Sequence, residues 1–210
     1  PQCQSGMRSR AMRRFNRYYR QCARSFLSYC GRWLYPEALA AFEHARDESA
    51  PLPCAQANLT CTVTCNERGV LSLYSDCTEW AGTPEALTLR RADTWNLETG
   101  YPITASECFP RGTRVRALCL AAAREQCRRQ QESSLAVYHP DFSRRLRRNL
   151  NLRNFYLSEK GFHFFYQPWA IAPGFEGCPT FLLPFSDSET DAAGPLWPAG
   201  NPCNAEKSIV

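Results

Sequence analysis

The chain has 210 residues, with 25 Lys and Arg against 20 Asp and Glu, a net charge of +5, 44% hydrophobic residues and twelve cysteines. That length buries a sizeable core, either as one large domain or as two packed lobes. No run of eighteen apolar residues and no signal peptide is present, which excludes a membrane-spanning helix and an export address within these residues; if the protein is anchored or exported, the segment responsible is expected to lie outside them.

The first predicted element is a helix. Met12, Phe15, Tyr19, Cys22, Phe26, Tyr29 and Trp33 recur at spacings of three and four, with Arg13, Arg17, Arg20 and Arg24 on the opposite side. Tyr35-Pro36 should break it, with Pro36 opening a second helix that turns Leu39, Phe42 and Ala45 inward and ends at Pro51 and Pro53. Residues 58–65 alternate with β-branched enrichment, and Asn66-Glu67-Arg68-Gly69 turns the chain into a second strand through Cys77. Leu87 to Trp95 reads as a third strand, followed by a turn at Leu97-Glu98-Thr99-Gly100.

Gly112 to Gln131 is predicted helical, with Val115, Leu118, Cys119 and Ala122 on its buried face. After Pro140 comes a basic connector. Leu152, Phe155 and Leu157 then lead into the turn Ser158-Glu159-Lys160-Gly161, Phe162, Phe164 and Tyr166 alternate along the next strand, and a third strand covers Thr180 to Phe185. The order of helices, strands, helix and strands predicts an α+β fold, antiparallel β-sheets packed with long amphipathic helices and stapled by disulfides. We expect an N-terminal lobe over 1–135, a C-terminal β-meander lobe over 136–186, and a Ser-, Asp-, Gly- and Pro-rich tail over 187–210 held by a disulfide.

Cys3, Cys22, Cys30, Cys54, Cys61, Cys65, Cys77, Cys108, Cys119, Cys127, Cys178 and Cys203 form an even set dispersed through the whole chain. With three histidines and no Cys-x-x-Cys pair, a disulfide framework is expected rather than a metal site, which places the protein outside the cytoplasm. Cys22 and Cys30, and again Cys119 and Cys127, are eight residues apart on helices, about 12 Å, so each must reach another element. Cys61 and Cys65 should share one face of a strand, about 13 Å apart. Cys3 and Cys203 stand near the two ends of the chain.

Between the strands of the C-terminal meander lies Gln167-Pro168-Trp169-Ala170-Ile171-Ala172-Pro173-Gly174-Phe175, where two prolines remove backbone donors and forbid a central strand. A loop that holds Trp169, Ile171 and Phe175 in prolyl geometry either plugs the core or waits for a partner.

This segment carries a resemblance. Asn154-Phe155-Tyr156-Leu157, Gly161, Phe164-Phe165-Tyr166, Pro168-Trp169, Ile171-Ala172-Pro173 and Leu183-Pro184-Phe185 occur in the order and spacing of the extracellular domain shared by RsiV-type anti-sigma factors and the non-catalytic region of PdaC-type peptidoglycan deacetylases. Upstream, Gly69 to Tyr74 and Asp93 to Ile103 resemble the same domain, although Trp80-Ala81-Gly82-Thr83-Pro84-Glu85 stands where that family has a Gly-Gly-Ala-His-like loop. The resemblance covers about residues 10–186. It implies a bacterial cell-surface binding or sensor domain that captures lysozyme, binding exposing the receptor to proteolysis that frees a sigma factor. Under that relationship Trp169, Pro173, Phe175 and Tyr166 are the partner-binding residues, since aromatic anchors in rigid loops make strong contacts.

Charge and chemistry narrow the alternatives. Residues 8–34 carry eight arginines and no acid, residues 111–153 eleven basic against three acidic residues, and residues 66–107 seven acids against three arginines, a dipolar molecule whose arginine-rich helix presents either a solvated face, the usual explanation, or a surface for anionic wall polymer or lipid headgroups. No nucleic-acid recognition motif appears. His44, His139 and His163 belong to no catalytic motif, and His163 should face away from Phe162 and Phe164. The deacetylases resembled here catalyse through a separate metal-binding domain, whose ligands this chain lacks. Glu85, Asp93 and Glu98, the nearest carboxylates for a wall-polymer hydrolase, are scattered over a loop, a strand and a turn. The expectation is therefore no catalytic residue, no cofactor and no metal, with a protein ligand such as lysozyme or a cell-wall glycan as partner. For the glycan, Trp80, Trp95 and Trp169 would be the stacking platforms.

Overall fold

A computed structural model describes residues 9–48, 55–81, 86–185 and 195. Helix α1, Arg10–Tyr29, starts at Ser9, whose Oγ accepts the Met12 N–H at 3.1 Å. It continues through a five-residue π turn, Cys30–Leu34, into α2, Tyr35–Asp47. The break expected at Tyr35-Pro36 does not occur. In the π turn Tyr35 N–H reaches Cys30 O, and the wider register carries the chain past Pro36, whose ring would crowd the carbonyl four residues earlier in a regular helix.

The first sheet has the order β1-β2-β3-β4, all antiparallel, from β1 (Ala55–Glu67), β2 (Val70–Ala81), β3 (Leu87–Asn96) and β4 (Tyr101–Pro102). Arg68 and Gly69, with φ of 48° and 75°, make the two-residue left-handed turn that matches strand twist. Leu71, Leu73 and Trp95 face α1, where Phe15 and Tyr19 complete an apolar cluster. The Tyr19 hydroxyl donates to Asp93 Oδ2 at 3.0 Å and accepts Trp95 Nε1–H at 3.1 Å.

That cluster is small, and the helical stripe outruns it. Cys22 and Phe26 are half-buried, Trp33 is 65% exposed, and Leu39 and Phe42, expected inward, are exposed as well; only Ala45 of α2 is buried. A bulge between Val63 and Cys65 adds one residue to β1. It turns Cys61 and Cys65 to opposite faces, Cys61 exposed and Cys65 buried, so the shared face expected for them is lost.

Helix α3, Val115–Glu132, buries Val115, Cys119, Ala123 and Cys127. Where a basic connector was expected there is a helix, α4, Phe142–Asn149, anchored by the fully buried Leu146. Its last carbonyls are capped by the Arg116 guanidinium, which donates to Arg147 O at 2.7 Å and Leu150 O at 3.1 Å. The second sheet, order β5-β6-β7, is built from β5 (Phe155–Ser158), β6 (Gly161–Phe165) and β7 (Thr180–Pro184), again antiparallel. Phe155, Leu157, Phe162, Phe164, Phe181 and Leu183 form one face and share a core with α3, which lies within 1–135 in sequence but packs on this sheet. The architecture is α+β with antiparallel sheets, as the element order predicts.

The opposite face of the second sheet meets the first. Tyr156 packs on Tyr74 at 5.2 Å between ring centroids, and the Arg90 guanidinium lies 4.1 Å over the Tyr74 ring while pairing with Asp76 through two 2.8 Å hydrogen bonds. Two glutamines bind open strand edges with both ends of the amide. Gln167 accepts Arg90 N–H at 3.0 Å and donates to Arg90 O, and Gln126 of α3 accepts Leu182 N–H at 3.1 Å and donates to Leu182 O at 2.8 Å.

The disulfide staples are not found. None of the nine described cysteines, Cys22, Cys30, Cys61, Cys65, Cys77, Cys108, Cys119, Cys127 and Cys178, is bonded to another. Cys119 and Cys127 lie in the α3 core, out of reach of Cys61, which faces solvent on β1. Cys3, Cys54 and Cys203, Gly82 to Glu85, and all of 187–210 except Pro195 lie outside the described residues.

Candidate functional site

The segment from Gln167 to Gly177 joins β6 to β7 and is pinned at five points. Gln167 holds the β3 edge, Asn149 Nδ2–H donates to Ala170 O at 2.7 Å, and His139 N–H donates to Ile171 O at 3.1 Å. Ile171 and Ala172 are buried in the main core, and Glu176 Oε1 accepts the Val137 N–H at 2.8 Å. A single 3₁₀ turn, Gly174–Glu176, closes the segment. The loop divides: Ile171 and Ala172 plug the core, while Trp169 and Phe175 turn outward, 53% and 73% exposed.

Trp169 is the unusual residue. Its φ is +66°, a conformation that bulky L side chains rarely adopt and that persists only where the surroundings impose it. Its ring lies against Gly174 so closely that a Cβ there would sit 2.2 Å from the indole. One face of the ring is thus backed by main chain. The ring forms a ridge between a groove of about 210 Å³, lined by Leu87, Thr88, Pro168, Gly174 and Phe175 among others, and a groove of about 480 Å³ lined by α4.

The larger groove is basic. Arg144, Arg145 and Arg148 line it with Asp141, Asn149, Pro168 and Ala170. Arg145 is neutralised by Asp141, at 2.6 Å, and this pairing lowers the Asp141 pKa. The guanidinium groups of Arg144 and Arg148 have no partner among the described residues, and neither does the Trp169 indole N–H.

Of the four residues expected to contact a partner, Trp169 and Phe175 are on this surface and Pro173 is half-buried beside them. Tyr166 is not. It lies just past β6 and is fully buried, its N–H donating to Pro179 O and its hydroxyl to Leu146 O, both at 3.0 Å, so it belongs to the core. Trp95 is buried under α1, and Trp80 is exposed at the far end of β2. Asp93 is bound by Tyr18 and Tyr19 and Glu98 stands at a turn, so these carboxylates are not brought together; Glu85 is outside the described residues. Arg144 and Arg148 were missed because α4 was read as connector, although their spacing of four was visible beside Asp141.

His163 faces away from Phe162 and Phe164, as its position in the strand predicts. It stacks on Tyr156 at 4.8 Å, its Nε2 lies 2.8 Å from Ser158 Oγ, and burial together with Lys160 lowers its pKa. Among the described residues no group of three or more His, Cys, Asp or Glu is arranged to hold a metal, and no helix is long and apolar enough to cross a membrane.

No curated protein matches the chain. A member of the DUF3298 family from Bacteroides fragilis NCTC 9343 shares the fold, with a TM-score of 0.59 over 87% of this chain and 78% of its own at 13% identity. A DUF3298 family protein from Pseudomonas aeruginosa PAO1 aligns over 70% of this chain and 65% of its own, at 16% identity and a TM-score of 0.48. Residues 109–186, which include α3, α4, the Trp169 loop and the second sheet and so carry the site, match the DUF3298 family model, described as a protein of unknown function.

Proposed function

We propose that this chain is a non-catalytic binding or sensor domain that works outside the cytoplasm, and that the outward side of the Pro168 to Phe175 loop is its contact surface. The observation that carries the reading is Trp169, half-exposed and held at φ +66° by a loop pinned on both flanks. A rigid aromatic anchor loses little entropy when a partner closes over it, and backbone strain of this kind clusters where a structure serves a ligand. The resemblance to the RsiV-type and PdaC-type domain supports a bacterial cell-surface setting and a protein ligand, lysozyme among the candidates. The content of twelve cysteines supports the oxidising compartment. A second reading, an accessory domain that binds cell-wall glycan, is favoured by the basic groove beside Trp169.

Capture of lysozymes and of insoluble peptidoglycan by the purified protein tests the reading, with Trp169→Asn and Phe175→Ala as variants. Asn tolerates the left-handed backbone at position 169, so loss of capture reports the ring rather than the loop conformation. We expect either variant to weaken capture. Undiminished capture by both variants, with their folds intact, sinks the loop as the contact surface.

A further inference from the structure

We propose that the groove between α4 and Trp169 binds an anionic sugar chain, with a carboxylate or phosphate on Arg144 and Arg148 and a sugar ring stacked on the open face of the indole. This rests on the loop being the contact surface and adds the chemistry of its ligand.

Three observations converge on one groove of about 480 Å³, inside the range of roughly 300–1,000 Å³ typical of ligand clefts. First, α4 carries four arginines in eight residues, and among the described residues only Arg145 has a carboxylate partner. Arg144 and Arg148 are one turn apart on the same helical face, their Cβ atoms about 6 Å from each other, where like charges disfavour the helix unless an anion is shared. Guanidinium forks fit carboxylate and phosphate with two parallel hydrogen bonds. Second, Trp169, 53% exposed, lines this same groove, its indole backed closely by Gly174 and its N–H without a partner among the described residues. A flat ring beside paired forks suits a pyranose bearing an acid group, whose apolar C–H face and charged substituent lie on different sides of the ring. Third, the groove is held at fixed width, because Asn149 of α4 donates directly to Ala170 O in the loop at 2.7 Å. The backbone spacing of the two walls is thus set before binding, which then has to order only the arginine side chains.

The test is calorimetric titration of the full chain at two salt concentrations with tetragalacturonate, phosphorylated maltotetraose, neutral N-acetylchitotetraose and octaglutamate. We expect at least one of the two acidic sugars to bind, more weakly at higher salt. That affinity should fall about tenfold or more in Arg144→Gln/Arg148→Gln and in Trp169→Asn, each checked for fold by circular dichroism. Both variants change exposed side chains and leave Leu146 and the Arg116 cap untouched. Absence of binding heat with both acidic sugars overturns the proposal; equal binding of octaglutamate overturns the sugar, and equal binding of the neutral sugar overturns the anion. Phe175→Ala, on the other side of the ridge, separates the two readings. If Trp169→Asn and Phe175→Ala abolish capture of a macromolecular partner while no acidic sugar titrates, only the ligand chemistry assigned here fails; if acidic sugars bind at the arginines and neither loop variant affects macromolecular capture, the loop reading fails.

Discussion

The backbone N–H of Leu157, on the outer edge of β5, donates to the hydroxyl of Ser72 at 2.8 Å, across 85 residues of chain. Ser72 is fully buried and its Oγ also lies 2.8 Å from Thr94 Oγ1, so two small hydroxyls let the second sheet approach the first and give its edge a partner. Ser72→Ala strands a buried N–H and should destabilise the fold by roughly 1–3 kcal/mol, read from the urea midpoint. A change below about 0.5 kcal/mol would mean that the seam does not depend on this bond.

Gln126 joins α3 to β7 through two hydrogen bonds on Leu182. Gln126→Met keeps the volume and removes both, with an expected loss of about 1–2 kcal/mol. Amide exchange at Leu182, faster in the variant than in the parent, is the direct check, and unchanged protection refutes the clamp.

Gly174→Ala drives a methyl 2.2 Å from the Trp169 ring. The indole must swing away, with a stability loss of about 1–3 kcal/mol from the clash and a weakening of partner capture comparable with Trp169→Asn. Gly112→Ala makes a useful control, since a Cβ there meets nothing and only its left-handed φ of 85° is disturbed.

His163 couples stability to pH. Burial, then Lys160, holds its pKa below the usual 6.5, so the folded state favours the neutral ring stacked on Tyr156 and near Ser158. The contribution is fully present above pH 6.5 and is lost as pH falls through that value towards the lowered one. The fall in urea midpoint between pH 7.5 and 5.5 should be smaller in His163→Gln than in the parent. Equal falls would show that another group carries the dependence.

The described cysteines divide by reactivity. Burial pushes the thiols of Cys108 and Cys119 up to about 12 and that of Cys127 up to about 11, which leaves almost no thiolate at neutral pH, whereas Cys61 is exposed on β1. Timed alkylation of native reduced protein at pH 8, mapped by mass spectrometry, should modify Cys61 early. Cys108, Cys119 and Cys127 should react only on unfolding; early labelling of these three would contradict their burial.

Much of this architecture was legible because side-chain period reports the buried face. The 158–161 turn, the Arg68-Gly69 hairpin and α3 all follow from alternation or from spacings of four. α4 escaped because one buried residue, Leu146, among four arginines leaves no period to detect. Period also says which face of a helix is apolar but not how far the sheet beneath it reaches, so the exposure of Trp33, Leu39 and Phe42 was invisible. The bulge at Thr64 is a single inserted residue with no signal of its own, yet it reversed the relation of Cys61 to Cys65. At the site, prolines and aromatics marked the loop. The left-handed turn at Trp169 and the neighbouring arginines became apparent only when long-range packing brought α4 beside it.

The glutamine clamps have a consequence for how this protein keeps to itself. A carboxamide sets an N–H donor beside a carbonyl acceptor, the same pair that a strand residue presents, so Gln167 and Gln126 act as one-residue stubs that stop foreign strands from templating on β3 and β7. β1 has no such stub among the described residues. From Ala55 to Asn66 it bears neither charge nor proline, and only its bulge interrupts the ladder. Resistance to cross-strand aggregation at high concentration is therefore decided along β1, and a lysine placed there would raise solubility more than one placed on either clamped edge.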